Sequence, residues 1–282
     1  MKSRKMLFRS LLIAGMAAAM VGMTSCDSKK HKNIDDDDDE PRREQKSDNL
    51  EFESFSYHVI MEGNDSIEGY KGSQYQDCRG EGVLPKSLGN DNVRQLRDSL
   101  MAIIDSRYVG DGEVEPIATA EFRPTDLSPA DTEACNTSYG SISASLVNPR
   151  LVVFNCYGSV YYCGAAHGSY GESVVNYDIE NGKILSLYDV VKPAMKAKLR
   201  ALINEAVKKN DMQSYVNPDI DIAATFRITD DGLEFIYQPY EVAPYAVGVV
   251  KVPVYEYELA EAGMLTQRGE YIFNGEAGQR AN

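Results

Sequence analysis

The chain has no tryptophan and only three histidines in 282 residues, and these scarcities exclude several chemistries at once. His31 falls in a highly polar stretch near the N-terminus, which leaves His58 and His167 for the folded part. Zinc sites built on paired histidines, such as His-Glu-x-x-His, are therefore absent. Positive charge is also short: 29 Lys and Arg stand against 43 Asp and Glu, a formal net charge of −14. A protein that tracks nucleic-acid phosphates needs the opposite sign, so nucleic acid is excluded as a partner. Basic partners gain in encounter rate. No internal repeat is evident, and neither a cofactor nor a metal site is predicted.

The one long apolar run, Leu11 to Met23, follows Lys2, Arg4, Lys5 and Arg9 and ends in "MTSC" at Cys26. It is too short to span a bilayer and reads as a secretory signal over 1–25. Small polar residues directly before Cys26 resemble the lipobox of bacterial lipoproteins, in which the cysteine is acylated and becomes the new N-terminus. Ordinary secretion, with Cys26 in a disulfide, is the alternative. Acyl chains, each CH₂ worth roughly 0.8 kcal/mol, would hold the protein on the membrane. Residues 26–49 contain almost nothing apolar and read as a tether with a root-mean-square span of roughly 27 Å. The acidic run Asp35 to Glu40 resembles a surface-export signal of some Gram-negative lipoproteins, which makes the expected location the outer membrane, facing outward. Removing four positive charges and no negative one with the signal moves the formal charge from −14 to −18.

From residue 50 the chain is long enough for one domain, or two small lobes, with a real core. "LEFESFSYHVI" reads as a first strand. Val93, Leu96, Leu100, Ile103 and Ile104 share a helical face, with Asn90 or Asp91 as cap. Periodicity is lost between Asp111 and Thr132 among Pro116, Pro124 and Pro129, so an irregular connection is expected there. "YGSISASLV" and "RLVVFNCYGSVYY" flank Asn148-Pro149 as a hairpin. "ESVVNYDI" is a further strand, Pro193 to Lys209 an amphipathic helix, and "ATFRITDDGLEFIYQPY" a second hairpin turning at Asp231-Gly232. "GVVKVPVYEYEL" supplies a last strand. The predicted class is α+β: a largely antiparallel sheet of hairpin-linked strands packed with two main helices. The domain divides into an N-terminal part, 50–135, a C-terminal part, 136–265, and a C-terminal extension, 266–282.

Four cysteines remain beside Cys26, an even number in an exported chain. If residue 147 lies opposite 150 or 151, cross-strand partners sum to 297 or 298, which brings Cys135 to Cys163. Cys156 and Cys163 would stand roughly 23 Å apart along one extended strand, far beyond disulfide reach. The predicted pairs are Cys135 with Cys163 and Cys78 with Cys156.

"YYCGAAHGSYG" holds His167 beside Cys163. "HGSYG" is a near miss for the nucleophile elbow, but a strand follows where the elbow needs a helix. Cys163 is expected in a disulfide rather than as a nucleophile. A glycosidase-like carboxylate pair is possible among so many acids, yet nothing picks two out. The remaining reading makes His167 the hydrogen-bonded pivot of a turn.

"YYCGAAHGSYGESVVNYDIENGKILSLYDVV" resembles the signature of an exported domain in the RsiV-like family, with Ala165 in place of a second glycine. "TDDGLEFIYQPYEVAPYAVGVVKVPVYEYEL" resembles the same family's ending, and the likeness covers roughly 136–260. Such domains form the extracellular part of lysozyme-responsive anti-sigma factors and accompany a catalytic domain in some peptidoglycan deacetylases. The resemblance implies recognition of a lysozyme-like basic protein or a peptidoglycan fragment. The chain shows no sigma-binding segment and lacks a deacetylase's metal-binding histidines, so neither activity is carried over. Tyr162, Gly164 and His167 in the first block, with Tyr237, Tyr240, Glu241 and Tyr245 in the second, are the candidate ligand-binding residues, since tyrosines offer large contact area at little rotamer cost. The expected protein is a non-catalytic envelope binding module. The rivals are a glycan hydrolase with an unidentified carboxylate pair and a structural subunit of a surface assembly.

Overall fold

The computed structural model describes residues 50–274 apart from 65, 90–92, 108–113 and 120. The signal, Cys26, the tether and the Asn90 or Asp91 cap lie outside these residues. Two long strands open the fold, β1 (Leu50–Gly63) and β2 (Tyr75–Leu88), followed by helix α1 (Val93–Ile104), a short β3 (Phe122–Thr125) and one turn of helix, α2 (Pro129–Thr132). Then come β4 (Asn136–Asn148), β5 (Leu151–Tyr161), β6 (Ser169–Asp178), β7 (Lys183–Ile184) and α3 (Leu187–Val190). The chain ends with α4 (Lys196–Lys209), β8 (Thr225–Thr229), β9 (Gly232–Tyr237), β10 (Val250–Tyr255), α5 (Glu256–Glu261) and α6 (Gln267–Asn274).

Seven strands form one sheet in the order β3-β1-β2-β4-β5-β6-β7, and β10-β9-β8 form a second. Only β2 and β4 run parallel; α1 lies in the crossover between them, as a parallel connection requires. The class is therefore α+β with a mostly antiparallel sheet, as composition and pattern predict. β5 shows why two layers are needed. Leu151, Val152, Val153 and Phe154 are all fully buried. Alternate residues enter opposite cores: Val152 and Phe154 pack with Leu96, Leu100 and Met101 of α1, while Leu151 and Val153 pack with α4 and the small sheet. Each such side chain contributes about 1.5–3 kcal/mol on leaving water. α4 turns Leu199, Ile203, Ala206 and Val207 into the second core, whereas Met195 and Leu202, which the spacing also places on the apolar stripe in preference to Val207, are only partly buried. In α1, Ile103 stays 38% exposed and Met101 is buried instead.

The β4–β5 ladder keeps a partner sum of 298 from Thr137↔Tyr161 to Leu146↔Val152, and a shift appears only beside the turn. That register places Cys135 and Cys163 within bonding distance, and they form the disulfide, with Cα atoms 5.5 Å apart. The second predicted pair is wrong: Cys78 and Cys156 are free and buried. Cys78 lies level with Ser138 of β4, and Cys156 lies level with Ile142. The two sulfurs are thus separated by roughly 10 Å across the sheet and roughly 13 Å along it, outside disulfide reach.

The stretch expected to be irregular contains β3 and α2, Ser128 capping the latter through its side chain. α6 docks on the large sheet. Arg268 contacts Asp178 at 2.5 Å and Glu180 at 3.1 Å, the Arg150 and Arg268 guanidinium groups lie over the Tyr271 ring, and Asn148 donates to the Ile272 carbonyl. No helix among the described residues is long and apolar enough to cross a membrane.

Candidate functional site

The His167 turn is built from its base upward. The disulfide ties the end of β5 to the start of β4, and Asn136 beside it accepts from the Cys163 N–H while donating to the Ser73 and Tyr75 carbonyls. Gly164 follows at φ +76°, with the Tyr70 ring 2.7 Å from where a Cβ would stand. The left-handed backbone favours glycine there. His167 then places Nδ1 2.8 Å from the Gly168 carbonyl, which also accepts the Tyr245 hydroxyl at 2.8 Å. A carbonyl oxygen only accepts, so Nδ1 carries a proton, and Nε2 lies 3.3 Å from the Tyr240 hydroxyl. Both ring nitrogens are thus engaged, and the imidazole stacks on Tyr245 with centroids 4.2 Å apart.

The second segment reaches this point by a tight turn after β9. The Glu241 N–H donates to the Gln238 carbonyl, and the Glu241 carboxylate accepts from the Gln238 N–H. The turn puts Tyr240 at φ +71°, a backbone region that costs a tyrosine about 1–3 kcal/mol. Gln238 fastens the turn to the sheet: its amide accepts from the Glu172 N–H at 3.0 Å and donates to the Glu172 carbonyl at 2.8 Å. Tyr240 is left 65% exposed.

From these two loops a row of rings runs back over the large sheet. Tyr245 meets Tyr170 edge-on at 5.6 Å, Tyr170 meets Tyr157 at 6.2 Å, and Tyr157 meets Tyr139 at 6.2 Å. The spacing follows from the pleat. Tyr139 and Tyr170 both lie opposite Ser159, and Tyr157 sits two residues from Ser159 on the same face. The row rests on fixed charges: Glu172, opposite Tyr157, is held by Lys251 at 2.8 Å, and Arg227 beside it pairs with Glu234 at 2.6 Å. At the far end the Tyr139 hydroxyl donates to Glu81 at 2.6 Å. That bond, with some burial, raises the Tyr139 pKa, and burial raises that of Tyr245.

The structure thus brings His167, Tyr240 and Tyr245 together. Glu241 is exposed but serves the turn. Tyr162 is exposed in the turn that ends at Ala165, and Gly164 packs on Tyr70 rather than on the ring row. Tyr237 needs correction as a contact residue: it is 1% exposed and its hydroxyl donates to the Asp221 carbonyl at 2.7 Å. It faces inward with Leu233 and Phe235 of β9, so the strand's last residue before the loop is still core. Tyr139, Tyr157 and Tyr170 were missed, although the partner sum of 298 already puts Tyr139 and Tyr157 on one face. No group of three His, Cys, Asp or Glu among the described residues could hold a metal ion.

These features define a two-layered α+β domain with a surface row of aromatic rings. Residues 188–255 match the family model DUF3298, described as a protein of unknown function. That stretch contains Tyr240 and Tyr245 but not His167. Two solved structures share the fold. One is a DUF3298 family protein from Pseudomonas aeruginosa PAO1, 17% identical, with a TM-score of 0.55 over 79% of this chain and 97% of that one. The other is a member of the same family from Bacteroides fragilis NCTC 9343, 19% identical, with a TM-score of 0.59 over 80% and 98%. Comparison with curated proteins finds no match.

Proposed function

We propose that this chain is a lipid-anchored, non-catalytic module of the bacterial envelope, of the RsiV-like kind, that binds a cell-wall-related ligand with its ring row. The observation that carries this reading is the junction of His167 with Tyr240 and Tyr245. Two sequence blocks separated by about 70 positions, each suggestive alone, supply one ring stack. An exposed cluster of this kind offers contact area without ordering cost, because the rings already brace one another. Both nitrogens of the histidine are engaged, which favours a contact residue over a general base. The acidic balance favours a basic ligand in encounter, and the lysine- and arginine-led start of the chain, running to Cys26, supports the anchor.

The test is calorimetric titration of the soluble chain from residue 27 with lysozyme and separately with muropeptides, at low and physiological salt. Saturable binding of either, lost in Tyr240→Ala with Tyr245→Ala, is the expected result. Silence toward both ligands, or binding indifferent to the double variant, overturns the reading.

A further inference from the structure

We infer that the ring row is one end of a longer strip that takes a linear glycan of several sugar residues, an inference that rests on the row being the binding surface. The strand register lays out the strip. One line of side chains crosses five adjacent strands as Ser56, Glu81, Ser141, Tyr157 and Glu172. The next line, two residues along each strand and on the same face, is His58, Arg79, Tyr139, Ser159 and Tyr170. Four strand spacings make the strip about 19 Å wide. Its β1 end is an open groove of about 620 Å³ lined by Ser54, Ser56, Glu81, Val83, Tyr139 and Ser141. Tyr139 belongs to both features, stacking toward Tyr157 and donating to Glu81, so groove and ring row are one continuous surface.

The chemistry of the strip selects the ligand. Neither line contains an aliphatic residue and the groove adds only Val83, so an amphipathic helix would find little aliphatic surface to bury against. Arg79 and His58 of the second line are already engaged by Asp77, at 2.8 Å and 2.9 Å. A phosphate chain would have to compete with a carboxylate for each of them. Beside them the strip presents serine and tyrosine hydroxyls, ring faces and two carboxylates with lone pairs to spare, Glu81, which accepts from Tyr139, and Glu172, which pairs with Lys251. Sugars match that pattern, since their hydroxyls pair with carboxylates and serines while their C–H faces lie on aromatic rings. An open strip five strands wide suits a chain rather than a single sugar, which would call for an enclosed pocket.

The experiment titrates the soluble chain with β-linked oligomers of N-acetylglucosamine and of glucose, from dimer to hexamer, beside lysozyme. Affinity for at least one series should rise tenfold or more from dimer to hexamer. Glu81→Ala and Ser141→Lys should weaken the hexamer at least tenfold, and by a larger factor than the dimer, with melting temperature as the folding control. Affinity independent of length, or a hexamer indifferent to both variants, overturns the inference. Silence toward all oligomers with lysozyme binding that depends on Tyr240 overturns the glycan and leaves the ring row as the binding surface. Silence toward oligomers, lysozyme and muropeptides alike overturns both.

Discussion

Tyr240 concentrates the tension between stability and contact at a single residue. Its left-handed backbone suits glycine, whereas its exposed ring completes the stack with His167 and Tyr245. In Tyr240→Gly the relieved strain and the greater freedom of the unfolded chain oppose each other, so stability should move by no more than about 1 kcal/mol. Binding should fall at least tenfold, and paired melts and titrations separate the two effects. The free thiols give a second residue-scale outcome. Burial pushes the Cys156 thiol up to about 12 and also raises that of Cys78. In a Cys26→Ser background, iodoacetamide at pH 8 should leave the native protein unlabelled and modify both thiols after denaturation, as counted by mass. The same pair shows how sequence reasoning went astray. Cysteine parity in an exported chain implied a second bridge, but the parallel β2–β4 pairing, which the legible helix of the crossover does not by itself reveal, sends the two sulfurs to different levels of the sheet.

At the scale of elements, local patterns were legible and long-range ones were not. Both hairpins, the register of the first and the two main helices follow from turn residues and periodicity. β2 did not, because its sequence reads as turn material: Gly80, Gly82 and Pro85 interrupt any alternation. Those residues answer to tertiary contacts. A Cβ at Gly80 would meet the Tyr57 ring at 2.1 Å, and one at Gly82 would meet the Ile142 carbonyl oxygen at 2.1 Å. The candidate site was legible in its two loops and half missed on the strands, where single tyrosines carry no signal until the register is applied. The disulfide is the element that joins loop to strand. Replacing Cys135 and Cys163 by serine should cost about 3–4 kcal/mol by the loop-entropy argument, read as a urea-midpoint shift, and should weaken binding through the His167 turn. The turn at α3 gives a pH signature. Burial alone would raise the Asp189 pKa, but hydrogen bonds from Lys183 and Ser186 outweigh it and hold the carboxyl below its ordinary value of 3.8. A depressed folded-state pKa stabilises above that ordinary value, and the contribution is lost as pH falls through the folded value. Asp189→Asn should therefore flatten the decline of stability below about pH 4, measured by urea denaturation at stepped pH.

For the whole molecule, the two faces of the large sheet divide the labour. One face is closed by α1, and the other is covered by α4 and the small sheet over the start of β5 and the end of β6, leaving the strip toward β1 open. With a net charge of −14, the two ligand classes should answer differently to salt. Lysozyme affinity should fall steeply between low and physiological ionic strength, whereas affinity for a neutral oligosaccharide should hardly move. Gln238 carries a consequence at this scale. By occupying the Glu172 N–H and carbonyl, it acts as a one-residue strand that seals the edge of β6 as well as a strut for the Tyr240 turn. Open strand edges recruit other chains. Loosening the Tyr240 turn would therefore uncover the Glu172 backbone groups as a pairing template, and where copies of the chain lie close together the failure of one turn would become a hazard to its neighbours.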